Sequence, residues 1–250
     1  MICLFPLGCH SFSPGECGRA TQVVDGVFFF HTPPGKEGET MATIFSGASV
    51  LPYSVDPLHH KVYFILGQER KGRWAGASEW GDFGGATKHE SVHETAAREF
   101  FEETCGTIHL HEEDGGGLRS PDRLVHLLEQ QQFTLRVDFD GYCTFLKKVP
   151  WQPDRFHVFR QVVHGLVRLR NAPSTPPPKF LWTHPAIQDV TESPIHINDA
   201  FLEKQQLAYV SIPTLARACA TNSRRLHNSR LRKSFASRMS IILSSFTTEA

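Results

Sequence analysis

The sequence predicts a mixed domain of the α/β (α+β) class, and three stretches carry that prediction. Residues 42–53 and 61–68 are rich in Val, Ile, Phe and Tyr and are separated by the turn-prone Val55-Asp56-Pro57, the pattern of two neighbouring strands. Ser91 followed three residues later by Glu94 is a capping-box spacing, and Gly106 marks the end of the helix it opens. Residues 206–212 read as a strand that runs into a helix opened by Pro213. This mixture gives α/β or α+β and no finer class.

The first forty residues are rich in Gly, Pro, Cys and Phe without periodicity, and Pro33, Pro34, Gly35 and Gly38 break any regular element between residues 32 and 39. They are expected to be a poorly ordered, dispensable extension. Residues 74–83 mix aromatics with glycine and suggest a third strand running into a turn at Gly84-Gly85. Downstream, the patterns predict helices over 121–131 and 153–170 and strands over 133–139 and 142–149. A proline-rich connector at 173–178 leads to a short apolar piece at 180–182 that cannot be helix interior. The organisation read from this is an extension (1–40), one catalytic domain (41–220) and a basic C-terminal helical segment (221–250).

Composition sets outer bounds. A chain of 250 residues, 40% hydrophobic and 21% charged, is long enough for one sizeable domain. Formal net charge is zero, so any steering of charged ligands must come from local patches. Six cysteines (Cys3, Cys9, Cys17, Cys105, Cys143 and Cys219) form no CxxC pair and no zinc-like spacing, which suggests reduced thiols. No apolar run approaches the ~20 residues of a membrane helix, and residues 1–9 lack the basic flank of a secretory signal. The expectation is an intracellular protein with no membrane partner, cytoplasmic by default, with an organelle left open.

Chemistry concentrates in residues 84–106, GGATKHESVHETAAREFFEETCG. On a helix at 100° per residue, Glu99, Glu102 and Glu103 fall within roughly 100°, while Ala96, Ala97, Phe100 and Phe101 share a separate arc of roughly 140°. One face is acidic and the other is core. Like-charged pairs three and four residues apart cost a helix ~0.2–0.5 kcal/mol each, so three clustered carboxylates without a neighbouring Lys are poor design for stability alone. A hard divalent cation, which prefers oxygen ligands, removes the objection, and the cluster needs no Cys or His.

The spacing of Gly84, Glu90, Arg98-Glu99, Glu102 and Glu103 resembles the Nudix box, G-x5-E-x7-R-E-U-x-E-E-x-G-U with U apolar. The resemblance implies an αβα sandwich around a mixed sheet and a metal-dependent enzyme that cuts a diphosphate linkage in a nucleoside diphosphate derivative by water attack at phosphorus. It implies Glu99, Glu102, Glu103 and the Gly84 carbonyl as ligands of Mg2+, with Mn2+ as substitute, and Glu90, Arg98 and Glu103 as catalytic residues, Arg98 and Glu90 bracing the loop against the helix. Two departures stand out. The family's second glycine usually carries the five-residue spacing, which here falls on the first, with His89 where Gly is common; and Thr104-Cys105 replaces the single residue expected before Gly106.

Outside the box, Glu203 could be a base but reads more simply as a surface residue beside Lys204. Glu69, Arg70, Lys71 and Arg73 follow a strand and could reach phosphates or be turn residues in water. Trp74 and Trp80 could stack on a base, but packing is the more common use of such aromatics. The histidine pairs His59-His60 and His109-x-His111, with His89 and His93, match no family role. Arg224, Arg225, Arg230, Arg232, Lys233 and Arg238 form a basic run that could touch an RNA 5′ end. Yet Leu231, Phe235, Met239, Ile242, Leu243 and Phe246 recur at three- and four-residue steps, the stripe of a docked helix. Cations at its start disfavour the helix by ~0.3–1 kcal/mol, which asks for an anionic neighbour. A small nucleotide is the expected partner, with the substrate-binding residues and the oligomeric state left open. The alternative is a catalytically silent Nudix-fold module that binds a nucleotide or a protein.

Overall fold

The computed structural model describes residues 45–70, 78–111, 120–187 and 194–244, together with the backbone of three short strands at 20–24, 27–30 and 247–248. In chain order the elements are β1 (Ala20–Val24), β2 (Val27–Phe30), β3 (Gly47–Val55), β4 (Val62–Glu69), β5 (Trp80–Gly81), β6 (Phe83–Ala86), α1 (Val92–Glu103) and α2 (Asp122–Glu129). There follow β7 (Leu135–Phe139), β8 (Tyr142–Lys148), α3 (Arg155–Asn171), β9 (Lys204–Ser211), α4 (Ile212–Ala220), β10 (Arg225–Leu226), β11 (Ser229–Arg230), α5 (Lys233–Ser244) and β12 (Thr247–Thr248). Strands β1 and β2 form an antiparallel hairpin, with β12 against β2; the rest of the N-terminal forty residues lies outside the described residues.

The main sheet has seven strands in the order β5-β4-β3-β8-β7, with β6 also on β3 and β9 also on β4. It is mixed because β3 and β8 run parallel, Gly47 opposite Tyr142, while the other pairings are antiparallel. Strand β3 gives residues 53–55 to β4 and residues 47–50 to β6, so the sheet forks, and the acidic loop leaves from the β6 arm.

Alternation along the strands feeds two separate cores. Ala48, Val50, Ile65, Cys143, Phe145 and Leu207 face α1, α2 and α3. Leu51, Tyr53, Phe64, Leu66, Leu146 and Val210 face α4 and α5. The architecture is therefore an αβα sandwich on a mixed sheet. Helix α1 has the reciprocal capping box expected of Ser91 and Glu94: the Glu94 N–H donates to Ser91 Oγ, and the Ser91 N–H donates to Glu94 Oε2. At its other end Cys105 and Gly106 both take positive φ, 52° and 62°, which fits the two residues between Glu103 and Gly106 into a tight reversal.

One expectation is corrected. Gly84 and Gly85 are not a turn; they lie in β6, paired with Ser49 and Ala48 of β3. The glycines serve close approach instead. A Cβ on Gly84 would come within 2.3 Å of Ser49 Cβ, and one on Gly85 within 2.3 Å of Glu99 Oε1. The apolar piece after the proline connector forms a short 3-10 turn at Lys179–Leu181.

Helix α5 lies on the second core through Phe235, Met239 and Ile242, all fully buried; Phe246 falls outside the described residues. Each such side chain is worth about 1.5–3 kcal/mol on burial. Removing residues 221–250 is therefore expected to lower the melting temperature of the whole domain sharply. A shortened chain that melts like the full one would show α5 to be an accessory.

Candidate active site

Arg98 is the hub of the acidic segment. Its Nη2 donates to Glu90 Oε1 at 2.6 Å and its Nε approaches both Glu90 oxygens, at 3.1 and 3.2 Å. Its Nη1 donates to Glu99 Oε1 at 2.7 Å and to Glu102 Oε2 at 3.1 Å. One guanidinium thus ties the loop residue Glu90 to two carboxylates on the helix. The hydrogen bonds from Arg98 hold Glu90 below the usual carboxylate value, and the same bonds raise Arg98. Burial raises Glu102 above the ordinary value, so the charge of Arg98 does not fully compensate it.

Glu103 lies behind this group, only 2% exposed. It accepts the Gly84 N–H through Oε2 at 2.8 Å, and its Oε1 is 2.9 Å from Lys204 Nζ. Lys204, fully enclosed at the start of β9, also donates to Glu69 Oε1 at 2.5 Å. Glu69 in turn pairs with Arg232 at the head of α5. Burial, together with the nearby charge of Glu69, pushes Glu103 up to about 8 despite Lys204. Burial opposes the charge of Lys204, but Glu103 and Glu69 outweigh it and the net shift is upward.

A second buried pair adjoins this chain. Asp82 accepts from Arg238 Nη2 at 2.8 and 3.0 Å and from Ser49 Oγ at 2.6 Å, and Ser49 Oγ also lies 3.0 Å from Thr144 Oγ1. Burial presses Asp82 upward, yet the charge of Arg238 and these hydrogen bonds prevail and its pKa lies below the ordinary 3.8. Its contribution to stability is complete above 3.8 and is lost as pH falls through the lower folded value. In acid denaturation followed by fluorescence, Asp82→Asn should narrow its stability gap to the parent as pH drops through the carboxylate range; a constant gap would contradict this assignment.

Of the residues singled out in the sequence, Glu90, Arg98, Glu99 and Glu102 come together, and Gly84 meets Glu103 on the inner side. The carboxylates are not without cationic neighbours, as the sequence had suggested: Arg98 serves Glu99 and Glu102, and Lys204 serves Glu103. Trp80 is packed, 2% exposed, with the His227 ring 5.6 Å from its own. His93 packs on Phe145, and His59 pairs with Asp56. Lys71, Arg73 and Trp74 lie outside the described residues. Sequence reasoning missed the Glu69–Lys204 pair and the Asp82–Arg238 pair, because partners 135 and 156 residues apart leave no local spacing to read.

The donor chemistry fits a hard divalent cation. Glu99 and Glu102 offer only oxygen, are partly accessible, and sit where Gly85 keeps the loop within touching distance of Glu99. Among the described residues no three acidic, His or Cys side chains converge as a ready coordination shell. Arg98 engages one oxygen of each carboxylate, Glu99 Oε1 and Glu102 Oε2.

No protein-family model matches the chain, and no curated protein matches it. Solved structures that resemble it include a Nudix hydrolase from M. smegmatis, RenU, at 12% identity and TM-score 0.37, covering 84% of this chain and 90% of that one. A C. elegans Ap4A hydrolase in a binary complex matches at 14% identity and TM-score 0.34, over 81% of this chain and 100% of that one. A Nudix hydrolase from Alicyclobacillus acidocaldarius matches at 11% identity and TM-score 0.37, over 84% and 100% respectively. Likeness at this level transfers neither substrate nor activity.

Proposed function

We propose that this chain is a Nudix-type pyrophosphohydrolase that splits a diphosphate linkage in a nucleoside diphosphate derivative. The observation that carries the reading is the coupling of motif to geometry: Glu90, Arg98, Glu99 and Glu102 meet at one partly open place, and Glu103 fixes the strand from which the loop leaves. Water attacks one phosphorus, the bond from that phosphorus to the bridging oxygen breaks, and two phosphate-bearing products leave. Arg98 and Glu90 hold the loop, while Glu99 and Glu102, with Glu103 behind them, would hold Mg2+ or Mn2+. A bound divalent cation would neutralise charge on the phosphoryl oxygens and make water a better nucleophile.

The test is magnesium-dependent phosphate release, coupled to a phosphatase, over nucleoside triphosphates, dinucleoside polyphosphates, nucleotide sugars, ADP-ribose, coenzyme A and capped RNA. In 18O-water one label is expected on a phosphate product by mass spectrometry. Label found only on a sugar hydroxyl would rule out attack at phosphorus.

A second reading has its own observation. Glu90, Glu99, Glu102 and Glu103 each already face a cation of the chain, Arg98 or Lys204, as in a module that keeps the fold and binds without turnover. A panel with nucleotide binding by calorimetry but no release at any magnesium concentration would select it.

A further inference from the structure

Against the first turns of α5 lies a cavity of about 360 Å³. Lys233, Ser237 and Arg238 of α5 line it, with Arg232 just before the helix, Ser46 just before β3 and Tyr142 of β8. Asp140 is the one acid among its described lining residues. The backbone of Arg232 is pinned by its N–H to Trp80 O at 2.8 Å, so the start of α5 is fixed in place.

Three properties of this cavity point to an anion. Lys233 is exposed and, among the described residues, has no acid within ion-pair distance; it stands at the positive end of a 12-residue helix, where a cation raises the energy and an anion lowers it. Arg238, only 3% exposed, uses Nη2 on Asp82 and stacks 4.2 Å over the Tyr142 ring, yet its Nε is buried without a hydrogen-bond partner. A buried guanidinium N–H left unmatched carries a desolvation penalty, and Arg238 is one of the residues lining the cavity. Ser46, Ser234 and Ser237 add hydroxyl donors at its mouth. Helix N-terminus, Arg fork, Lys and hydroxyls are together the donor set of a phosphate group.

The cavity is also joined to the acidic segment. Arg232 reaches Glu69, which shares Lys204 with Glu103. Tyr142 stands between cavity and loop: its hydroxyl donates to Ala48 O, and a Cβ on Gly84 would lie 2.5 Å from it. We propose that this cavity binds a phosphate group, and that the group is a terminal phosphate of the substrate, held beside the linkage to be cut. The second half rests on the hydrolase reading; the first half does not.

The test uses the full chain, first without divalent metal, titrated with inorganic pyrophosphate by calorimetry. Lys233→Glu and Ser237→Glu change exposed positions and should leave the melting temperature at or above the parental value while weakening pyrophosphate at least tenfold. Lys179→Glu, on the opposite side of the sheet, makes the same charge change and should leave the affinity as it was. Absence of pyrophosphate binding in the parent, or equal affinity in all four proteins, or equal weakening by Lys179→Glu, overturns the site. The second arm measures the nucleotide turned over fastest in the panel. A KM raised at least tenfold in Ser237→Glu with kcat retained assigns the site to the substrate's phosphate. An unchanged KM beside lost pyrophosphate binding overturns that assignment and leaves a site for free phosphate. If no nucleotide is hydrolysed at all, the hydrolase reading fails while the calorimetry still decides the cavity.

Discussion

Glu102→Gln is expected to lower turnover at least about a hundredfold, the usual cost of removing a preorganised charge from a reaction centre. The metal-free fold should hardly notice. Glu102 is partly accessible, its carboxyl is already raised by burial, and Arg98 keeps Glu90 and Glu99 after the change. Repulsion from Glu99 is relieved at the same time. Steady-state kinetics and a thermal melt of the same purified sample separate the two effects. Turnover near the parental value would remove Glu102 from the site.

Lys204→Met should do the reverse, acting on the fold first. The ammonium stands between two carboxylates that are 5% and 2% exposed, so the substitution leaves Glu69 and Glu103 buried without the cation they share. Taking one partner from a buried ion pair costs about 3–5 kcal/mol. Arg232 retains Glu69, which places the expected loss at the lower end, about 3 kcal/mol by denaturant titration. A variant as stable as the parent would show that this charge network does not hold the sheet to α1. Glu103→Gln should combine the two effects, because its side chain faces Lys204 and Gly84 and stands behind Glu99 and Glu102 at the proposed cation site.

These two substitutions mark what the sequence discloses. The Ser91–Glu94 cap, the spacing of Glu90 and Arg98 and the apolar arc of α1 are local, so the helix and its acidic face are legible from a window of some twenty residues. The strands at 62–69 and 142–148 are legible for the same reason, from short local runs of aliphatic and aromatic residues. The glycine pair was not, because a strand in close contact and a turn both ask for residues without Cβ, and only the positions of Ser49 and Glu99 distinguish them. Lys204 and Arg238 were opaque for a different reason. A charged residue is normally at the surface, and nothing nearby in the chain shows that its partner is a distant buried acid.

The long span of those ion pairs also orders events in time. Glu69 and Asp82 leave the ribosome 135 and 156 residues before Lys204 and Arg238. At about 5–20 residues per second, the delay is roughly 7–30 s. During the first part of that interval the central strand β3 likewise lacks β8, whose Thr144 is 95 residues downstream of Ser49. A nascent chain that collapsed early would have to bury two carboxylates without their cations, which disfavours closing the sheet before Lys204 and Arg238 have emerged. Folding of β4 and β5 is thereby tied to the emergence of Lys204 and Arg238, and a nascent chain exposed only up to residue 203 should be more sensitive to protease than one that extends beyond α5.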